Sequence, residues 1–404
     1  MLYWTTRILA LAMAALLAPL FIDIAVALVG NLRRPRRWPA AAACPVCLAV
    51  VVPAHNEEPC VARTVHSLIA AGCLPSALAA PPGVLVPRVF VVAHNCTDAT
   101  AQLAAEAGAI VGEIHDLSLQ GKGAALRFGF QQAAACGANA FLVVDADSVA
   151  TPNLIAAVTD ALAAGVEALQ CRYELELPAS TPAFSRDRLR ALAFRGINVL
   201  RARGRAGMGL SAGIFGNGFA LTAAALDRVP FAADSICEDM EYHGKLVAAG
   251  ISVQWIEDAG VWTEVSPSGA VQAQQEARWE GGRLRVAVLS TPSLLAAAWR
   301  GNLRALGALF EFWSLPTARA VLGLLLAALL PVFWLRAFIA VYVLLLVLYV
   351  VQAARLGQDP GRDLAALCLA PLHILWKVAM IPMVLLHTRR HTPWARTGRE
   401  VPRP

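Results

Sequence analysis

The chain has 404 residues, 58% of them hydrophobic, a formal net charge of +6 and a mean hydropathy of +0.57. That is too apolar for an ordinary soluble enzyme, and the excess sits at the two ends. The positive charge calls for no nucleic acid, since much of it lies in Arg33, Arg34, Arg36 and Arg37 beside the first apolar segment and in Arg389, Arg390, Arg396, Arg399 and Arg403 of the tail.

In chain order, residues 8–30 form an apolar run long enough to cross a bilayer. Its basic residues mainly follow it, whereas those of a cleaved signal precede a shorter core, so a retained anchor is expected. Ala41-Ala42-Ala43-Cys44 faintly resembles a lipoprotein cleavage site but lies beyond the arginines. Cys44-Pro-Val-Cys47 is a lone C-x-x-C with no second pair for a zinc site. The nine cysteines are scattered, which argues against a disulfide framework and suits a reducing compartment.

Residues 47–53 read as a strand, followed by the turn Ala54-His55-Asn56-Glu57-Glu58 and a helix over 59–71. A Pro-rich loop over 74–87 leads to a second strand, 88–93. Its end carries His94-Asn95-Cys96-Thr97-Asp98, where Asp98 is placed to cap a helix over 99–107. After a brief strand near Ile110, Gln120-Gly121-Lys122-Gly123 opens another helix. Phe141-Leu142-Val143-Val144 then ends at Asp145-Ala146-Asp147, a buried strand that stops at two acids. Residues i and i+2 of an extended chain point the same way, so both carboxylates can face one site. Such a pair repels itself unless a cation separates it, and hard oxygen donors suit Mg²⁺ or Mn²⁺. A strand followed by an acidic turn is the plain alternative. Strands alternating with helices imply an α/β domain with a mostly parallel sheet and functional residues at strand ends.

The second half reads differently. A strand over 168–173 precedes a basic helix over 183–203, and a glycine-rich run ends in Phe215-Gly216-Asn217-Gly218. Glu238 and Asp239 open a helix, where compensation of the helix dipole would by itself explain them. After a strand over 253–256, Gln275, Arg278 and Trp279 fall at i, i+3 and i+4 on one helix face; an ordinary surface face has the same spacing. Apolar segments return at 317–335, 337–354 and 364–387, with 303–313 amphipathic. If all three span and Arg33 is cytoplasmic, the basic tail ends outside, against the positive-inside tendency. Pro371, Lys377 and Pro382 interrupt the last segment, which favours a re-entrant or interfacial course. The expected division is a transmembrane anchor with its basic flank (1–37), a catalytic domain (44–289), interfacial helices (290–316), C-terminal membrane or re-entrant segments (317–388) and a basic tail (389–404).

Taken together, these pieces resemble the membrane-bound, inverting family 2 glycosyltransferases, the group that includes cellulose, hyaluronan and poly-N-acetylglucosamine synthases. Pro53, Ala54, His55, Asn56 and Glu57 are similar to the opening nucleotide-binding turn, and Lys122 to a lysine near the donor phosphates. Asp145-Ala146-Asp147 is similar to the metal-binding D-x-D. Glu238-Asp239 is similar to the pair whose aspartate is the general base. Gln275-x-x-Arg278-Trp279 matches Q-x-x-R-W, a motif of processive synthases and of ceramide glucosyltransferases.

The resemblance implies a GT-A fold, a Rossmann-like nucleotide-sugar domain, flanked by transmembrane helices. It implies a UDP-sugar donor, a divalent cation (Mg²⁺ or Mn²⁺), a saccharide or lipid acceptor and a cytoplasmic catalytic domain at the inner or plasma membrane. The donor site would take in the opening turn, His94, Asp98, Lys122, Asp145 and Arg278, with Asp147 and Asp145 on the metal. The acceptor side would hold Glu238, Gln275, Trp279, Gly216 and Asn217. The chain departs from relatives that carry acids in the turn after the second strand, which here reads Ala93-His94-Asn95.

The chemistry asks for the same residue types. A departing diphosphate gathers negative charge, which a metal on Asp147, Lys122 and Arg278 would offset. An attacking hydroxyl needs a carboxylate to take its proton, here Asp239. With no second nucleophilic carboxylate, a single displacement with inversion is expected. The leading expectation is synthesis of a cell-surface polysaccharide, with an accessory membrane subunit for export. The alternatives are a glycolipid-forming transferase and, from another class, a non-catalytic sugar-nucleotide-binding scaffold. A Rossmann dehydrogenase is a poorer fit still, as no G-x-G-x-x-G opens the first strand–helix turn.

Overall fold

In the computed structural model, the chain is described over residues 2–33, 38, 45–78, 86–119, 121–233, 235–265 and 270–388. Arg34, Arg36 and Arg37, Cys44, Gln120 and the tail arginines lie outside those residues, as does part of the Pro-rich loop.

Eight strands form one sheet: β1 (Leu48–Ala54), β2 (Arg88–His94), β3 (Ile110–Ile114), β4 (Ala140–Val143), β5 (Ser148–Ala150), β6 (Ala168–Glu176), β7 (Phe219–Thr222) and β8 (Gln254–Glu264). Their order is β3-β2-β1-β4-β7-β6-β8-β5. The expected parallel sheet holds across β3-β2-β1-β4 and again between β6 and β8. It gives way to antiparallel pairing where β7 lies between β4 and β6, and where β5 meets β8. The sheet is therefore mixed, and strands β5 and β7 are additions to the sequence reading.

Alternation along β1 builds two cores. Leu48, Val50, Val52 and Ala54 face the helices Val61–Ala70, Thr100–Glu106 and Leu154–Ala163, through Val61, Val65, Ala104 and Val158. Ala49 and Val51 face the opposite layer, where helices Lys122–Ala135 and Glu238–Ala248 contribute Leu126, Phe130, Tyr242 and Leu246. Gly129 lets the first of these helices lie tight against the sheet, since a Cβ there would come within 2.4 Å of Val51 Cγ1. That approach brings Lys122, at the helix start, to the carboxyl end of the strands.

Two helices are long and apolar enough to cross a membrane, Tyr3–Gly30 and Phe333–Arg355. A third candidate is a bent pair, Arg304–Trp313 and Thr317–Ala328, which meet at 77°. The expected segment 364–387 is broken into the helices Pro360–Ala365, Ala370–Ala379 and Ile381–Thr388 with a 3₁₀ turn at Ala366–Leu369, each too short to span alone. Helix Ala270–Trp299 runs unbroken through residue 289, where the sequence placed a boundary. The basic helix becomes Arg186–Arg195, a π-turn Gly196–Arg201 and Ala202–Gly207, and its Arg188, Arg195, Arg201 and Arg205 are buried against the membrane helices and their connections.

Candidate active site

The turns after β1 and β2 are stitched together side by side. Asn56 adopts a left-handed φ of 56°, which asparagine tolerates better than most residues. Its Oδ1 accepts hydrogen bonds from the Thr97 amide at 2.7 Å and the Thr97 hydroxyl at 3.3 Å. The Glu57 amide donates to Thr100 Oγ1 at 2.8 Å, and His55 Nδ1 lies 2.7 Å from the His94 carbonyl oxygen. Asp98 Oδ1 accepts from the Thr100 amide at 3.1 Å, closing the turn into the helix as expected, one residue ahead of the cap position Ala99. Pro53 and Ala54 are buried, so they can offer a ligand only backbone, whereas His55, Asn56 and Glu57 are half-buried.

His94 departs from its expected place against the nucleotide. It is 1% exposed, and its Nε2 sits 2.8 Å from the Leu119 carbonyl oxygen, fastening the segment that leads to Lys122. Burial pushes its imidazole below the usual range, with the Leu119 carbonyl opposing the shift.

At the end of β4, Lys122 Nζ donates to Asp145 Oδ1 and, at 2.6 Å, to the Gly216 carbonyl oxygen. Burial alone would lower the Lys122 ammonium, but Asp145, Glu238 and Asp239 outweigh it and hold the pKa above its ordinary value. Gly216 needs its positive φ of 77°, and a Cβ there would lie 3.4 Å from Asp239 Oδ2 and 3.7 Å from Lys122 Nζ. One glycine thus sits between the acid at the start of one helix and the ammonium at the start of another. Asn217, expected on the acceptor side, is instead fully buried. Its Oδ1 accepts from the Asp145 amide at 3.1 Å, and its Nδ2 donates to Ser148 Oγ at 2.8 Å. It braces the strand end from behind rather than lining the cleft.

Glu238 and Asp239 open their helix at the cleft, where Asp239 Oδ1 accepts from the Met240 amide at 2.7 Å. Burial pushes both carboxyls up, and for Glu238 the charge of Asp239 adds to the rise while Lys122 opposes it. Cys237 Sγ donates to the Trp279 carbonyl oxygen at 3.4 Å, pinning helix Ala270–Trp299 beside this turn. Arg278 on that helix is half-buried, and Trp279 is 49% exposed. Gln275 belongs to the same helix, its side chain outside the described set.

Two neighbours escaped the sequence reading. Arg283 sits within electrostatic reach of Asp239 and shares a helix face with Trp279 by its i, i+4 spacing, a signal that was legible. Tyr173 lies within electrostatic reach of Asp145 and Asp147, beside Thr263 and Asn217, and nothing in the local sequence marks it.

The cleft therefore offers two carboxylates at a strand end, one ammonium and a second acidic pair. Among the described residues no group of three or more potential ligands gathers at one point. Asp145 and Asp147 fit a hard divalent cation that takes the rest of its shell from phosphate oxygens and water, the usual arrangement for Mg²⁺.

Comparison with known proteins gives the following likenesses. Protein RfbJ of Shigella flexneri is 32% identical over 100 residues, 25% of this chain and 64% of RfbJ, so the match spans a little under two thirds of that relative. Among solved structures, a mannosyltransferase from Pyrobaculum calidifontis, in complex with GDP-Man and Mn²⁺, shares the fold with a TM-score of 0.53 at 18% identity. That match covers 92% of this chain and 99% of the other. Glucosyl-3-phosphoglycerate synthase from Mycobacterium tuberculosis, with Mn²⁺, UDP and glucosyl-3-phosphoglycerate, matches with a TM-score of 0.40 at 20% identity, over 57% of this chain and 76% of the other. The model of the family described as "Glycosyltransferase like family 2" matches residues 45–282, more than half of the chain and all of the cleft just described except Arg283; the chain belongs to that family.

Proposed function

We propose that this enzyme moves a sugar from a nucleoside diphosphate, uridine diphosphate by the motif resemblance, to a hydroxyl of a lipid-borne acceptor at the membrane surface. The observation that carries the acceptor is an exposed stripe on helix Ala270–Trp299. Leu284, Val288, Leu295 and Trp299 recur at i, i+4, i+11 and i+15, and Trp299 is 93% exposed. Exposed Leu303, Leu306 and Trp313 extend the apolar surface beyond the helix, with Arg285, Arg300 and Arg304 among them, a pattern suited to lying in an anionic interface. A lipid-borne hydroxyl would reach Trp279 along this surface.

In the proposed reaction Asp147 and Asp145 hold the divalent cation, which when bound offsets charge on the diphosphate. Lys122 and Arg278 add positive charge on the departing side. Asp239 accepts the proton of the attacking hydroxyl, and a single displacement inverts the anomeric carbon. Trp279 offers the acceptor an aromatic face and an N–H. Glu238 supports the turn, and Gly216 leaves room between base and lysine. Arg33 beside the first membrane helix supports a cytoplasmic catalytic domain.

The test feeds radiolabelled UDP- and GDP-sugars with Mn²⁺ to sealed cells and to lysed membranes. Label should enter an organic-soluble product only after lysis, and Asp147→Asn should abolish it. Label captured by sealed cells would reverse the orientation. A water-soluble or insoluble polymer as the product would replace the lipid acceptor with a growing polysaccharide. Full turnover in excess chelator would remove the cation, and no sugar release from any donor would leave a binding scaffold.

A further inference from the structure

Helix Ala270–Trp299 carries charged residues on two opposite sides. Successive residues turn by about 100°, so Glu276 and Glu280 lie about 40° apart, and Arg278 falls about 200° from Glu276, on the far side. The two glutamates are gripped chiefly from outside the catalytic domain. Lys377 Nζ donates to Glu276 Oε2 and, at 2.9 Å, to Glu280 Oε1. Arg319, at the start of helix Thr317–Ala328, donates to the other oxygen of Glu280. Arg190 Nε approaches Glu276 Oε1 at 3.9 Å. All four principal partners are largely buried, with side chains 11% to 18% exposed.

Packing reinforces the grip. Ala277, between the glutamates, is fully buried under Met380 and Val384, with Trp376 and Met383 around them. Lysine inside an apolar segment is costly unless it is paired, and this one has two carboxylates one helical turn apart. Two contacts one turn apart fix both the rotation and the height of a helix, which a single contact would not.

We propose that residues 370–388 form a bracket on helix Ala270–Trp299, and that Lys377 is a positioning residue that presents Arg278 and Trp279 to the cleft. The bracket rests on the reading of Arg278 and Trp279 given above. The catalytic helix is then held in register by a segment whose sequence favours a re-entrant or interfacial course.

The test uses the full chain in membranes or detergent and compares Lys377→Met, Lys377→Arg, Glu276→Gln and Arg278→Gln. Ångström-scale misplacement of a group that acts in the transition state should lower kcat by about 10- to 100-fold in Lys377→Met. Donor KM should stay within about threefold, because ground-state binding is not what the bracket controls. Lys377→Arg keeps the charge and should restore most of the rate. Glu276→Gln leaves Lys377 paired with Glu280, so it should fold and show a smaller loss in the same direction; it also keeps the test open if Lys377→Met does not fold. Wild-type kcat in Lys377→Met, or in Glu276→Gln if the former is unfolded, overturns the bracket. So does failure of Lys377→Arg to restore any rate. Loss of rate in Arg278→Gln with none in the bracket variants breaks the bracket alone. Full rate in Arg278→Gln with loss in Lys377→Met breaks the reading of Arg278 and leaves Trp279 as what the bracket presents.

Discussion

Two clusters of charge, joined through Arg283, are built to different rules. At the junction with the membrane segments, Arg188, Arg195, Arg201 and Arg205 face Asp23, Glu174, Glu311 and Asp363, charge for charge. Arg205 grips Asp23 with two bonds of 2.9 Å and reaches Glu311 at 3.0 Å, while Arg201 meets Asp23 at 2.7 Å. Arg195 bridges Glu174 and Asp363, each at 2.8 Å, and Arg188 completes the set at 3.1 Å from Asp363. In the cleft, by contrast, Asp145, Glu238 and Asp239 share Lys122, with Asp147 beside them and Arg283 within electrostatic reach of Asp239. The balanced cluster is a joint, in which each charge faces an opposite one. The unbalanced one holds Glu238 and Asp239 above their ordinary pKa and has an excess of negative charge, the condition expected where a cation and a proton must be handled.

The largest expected effect follows from that imbalance. A general base contributes about 10²–10⁴-fold, so Asp239→Asn should lower kcat by that much and leave nucleotide affinity nearly unchanged. It should also leave the melting temperature close to wild type, since only the bond from the Met240 amide is weakened. Adjacent residues at a helix start diverge by about 100°, so one of the two acids faces the acceptor squarely. If Glu238→Gln lost the rate and Asp239→Asn kept it, the base would move by one residue.

The junction should respond the other way. Asp23→Asn strands two buried guanidinium groups, and breaking a buried ion pair from one side costs about 3–5 kcal/mol. The expected outcome is a large fall in melting temperature and yield of the detergent-solubilised protein, with near-normal kcat per folded molecule. A variant that melted like the wild type but turned over slowly would show that the joint is part of the catalytic machinery and dissolve the distinction.

What could be read from the sequence tracks how local the cause is. The strand ending at Asp145 and Asp147 was legible because hydrophobic run, strand end and acidic pair all fall within eight neighbouring residues. Strand β5 is three residues long and β7 four, too short for any periodicity to show, and the pairing of β4 with β7 joins residues far apart in the chain. Without β7 the sheet looked parallel. Asn217 and His94 were placed against ligands by the family resemblance. Both are spent inside the protein, Asn217 on the Asp145 amide and Ser148, His94 on the Leu119 carbonyl. Lys377 stood out as an anomaly in an apolar segment, but its partners Glu276 and Glu280 lie 101 and 97 residues away, and no local pattern names them.

The smallest expected effect is a shift in a pH profile, and it separates the two clusters most finely. Asp239 must be ionised to take a proton, and burial pushes its pKa up. The acid limb of kcat/KM should therefore lie above about 4, the ordinary aspartate value, with activity lost as the pH falls through it. The stability contribution has the opposite sign. A carboxyl whose pKa is raised by folding binds more protons in the folded state, so the pair stabilises the fold less as the pH rises through the same window. Glu238, pushed up to about 8 by burial and by the charge of Asp239, titrates together with it, and the apparent values belong to the pair. Glu238→Gln removes that mutual repulsion and should move the acid limb to lower pH, whereas Asp23→Asn at the junction should leave the limb in place. Measuring kcat/KM against pH for the three proteins decides the matter. An acid limb in the ordinary carboxylate range in the wild type, or one that Glu238→Gln leaves unmoved, would mean that the two acids do not share a proton and that Asp239 works from an environment closer to water than its burial implies.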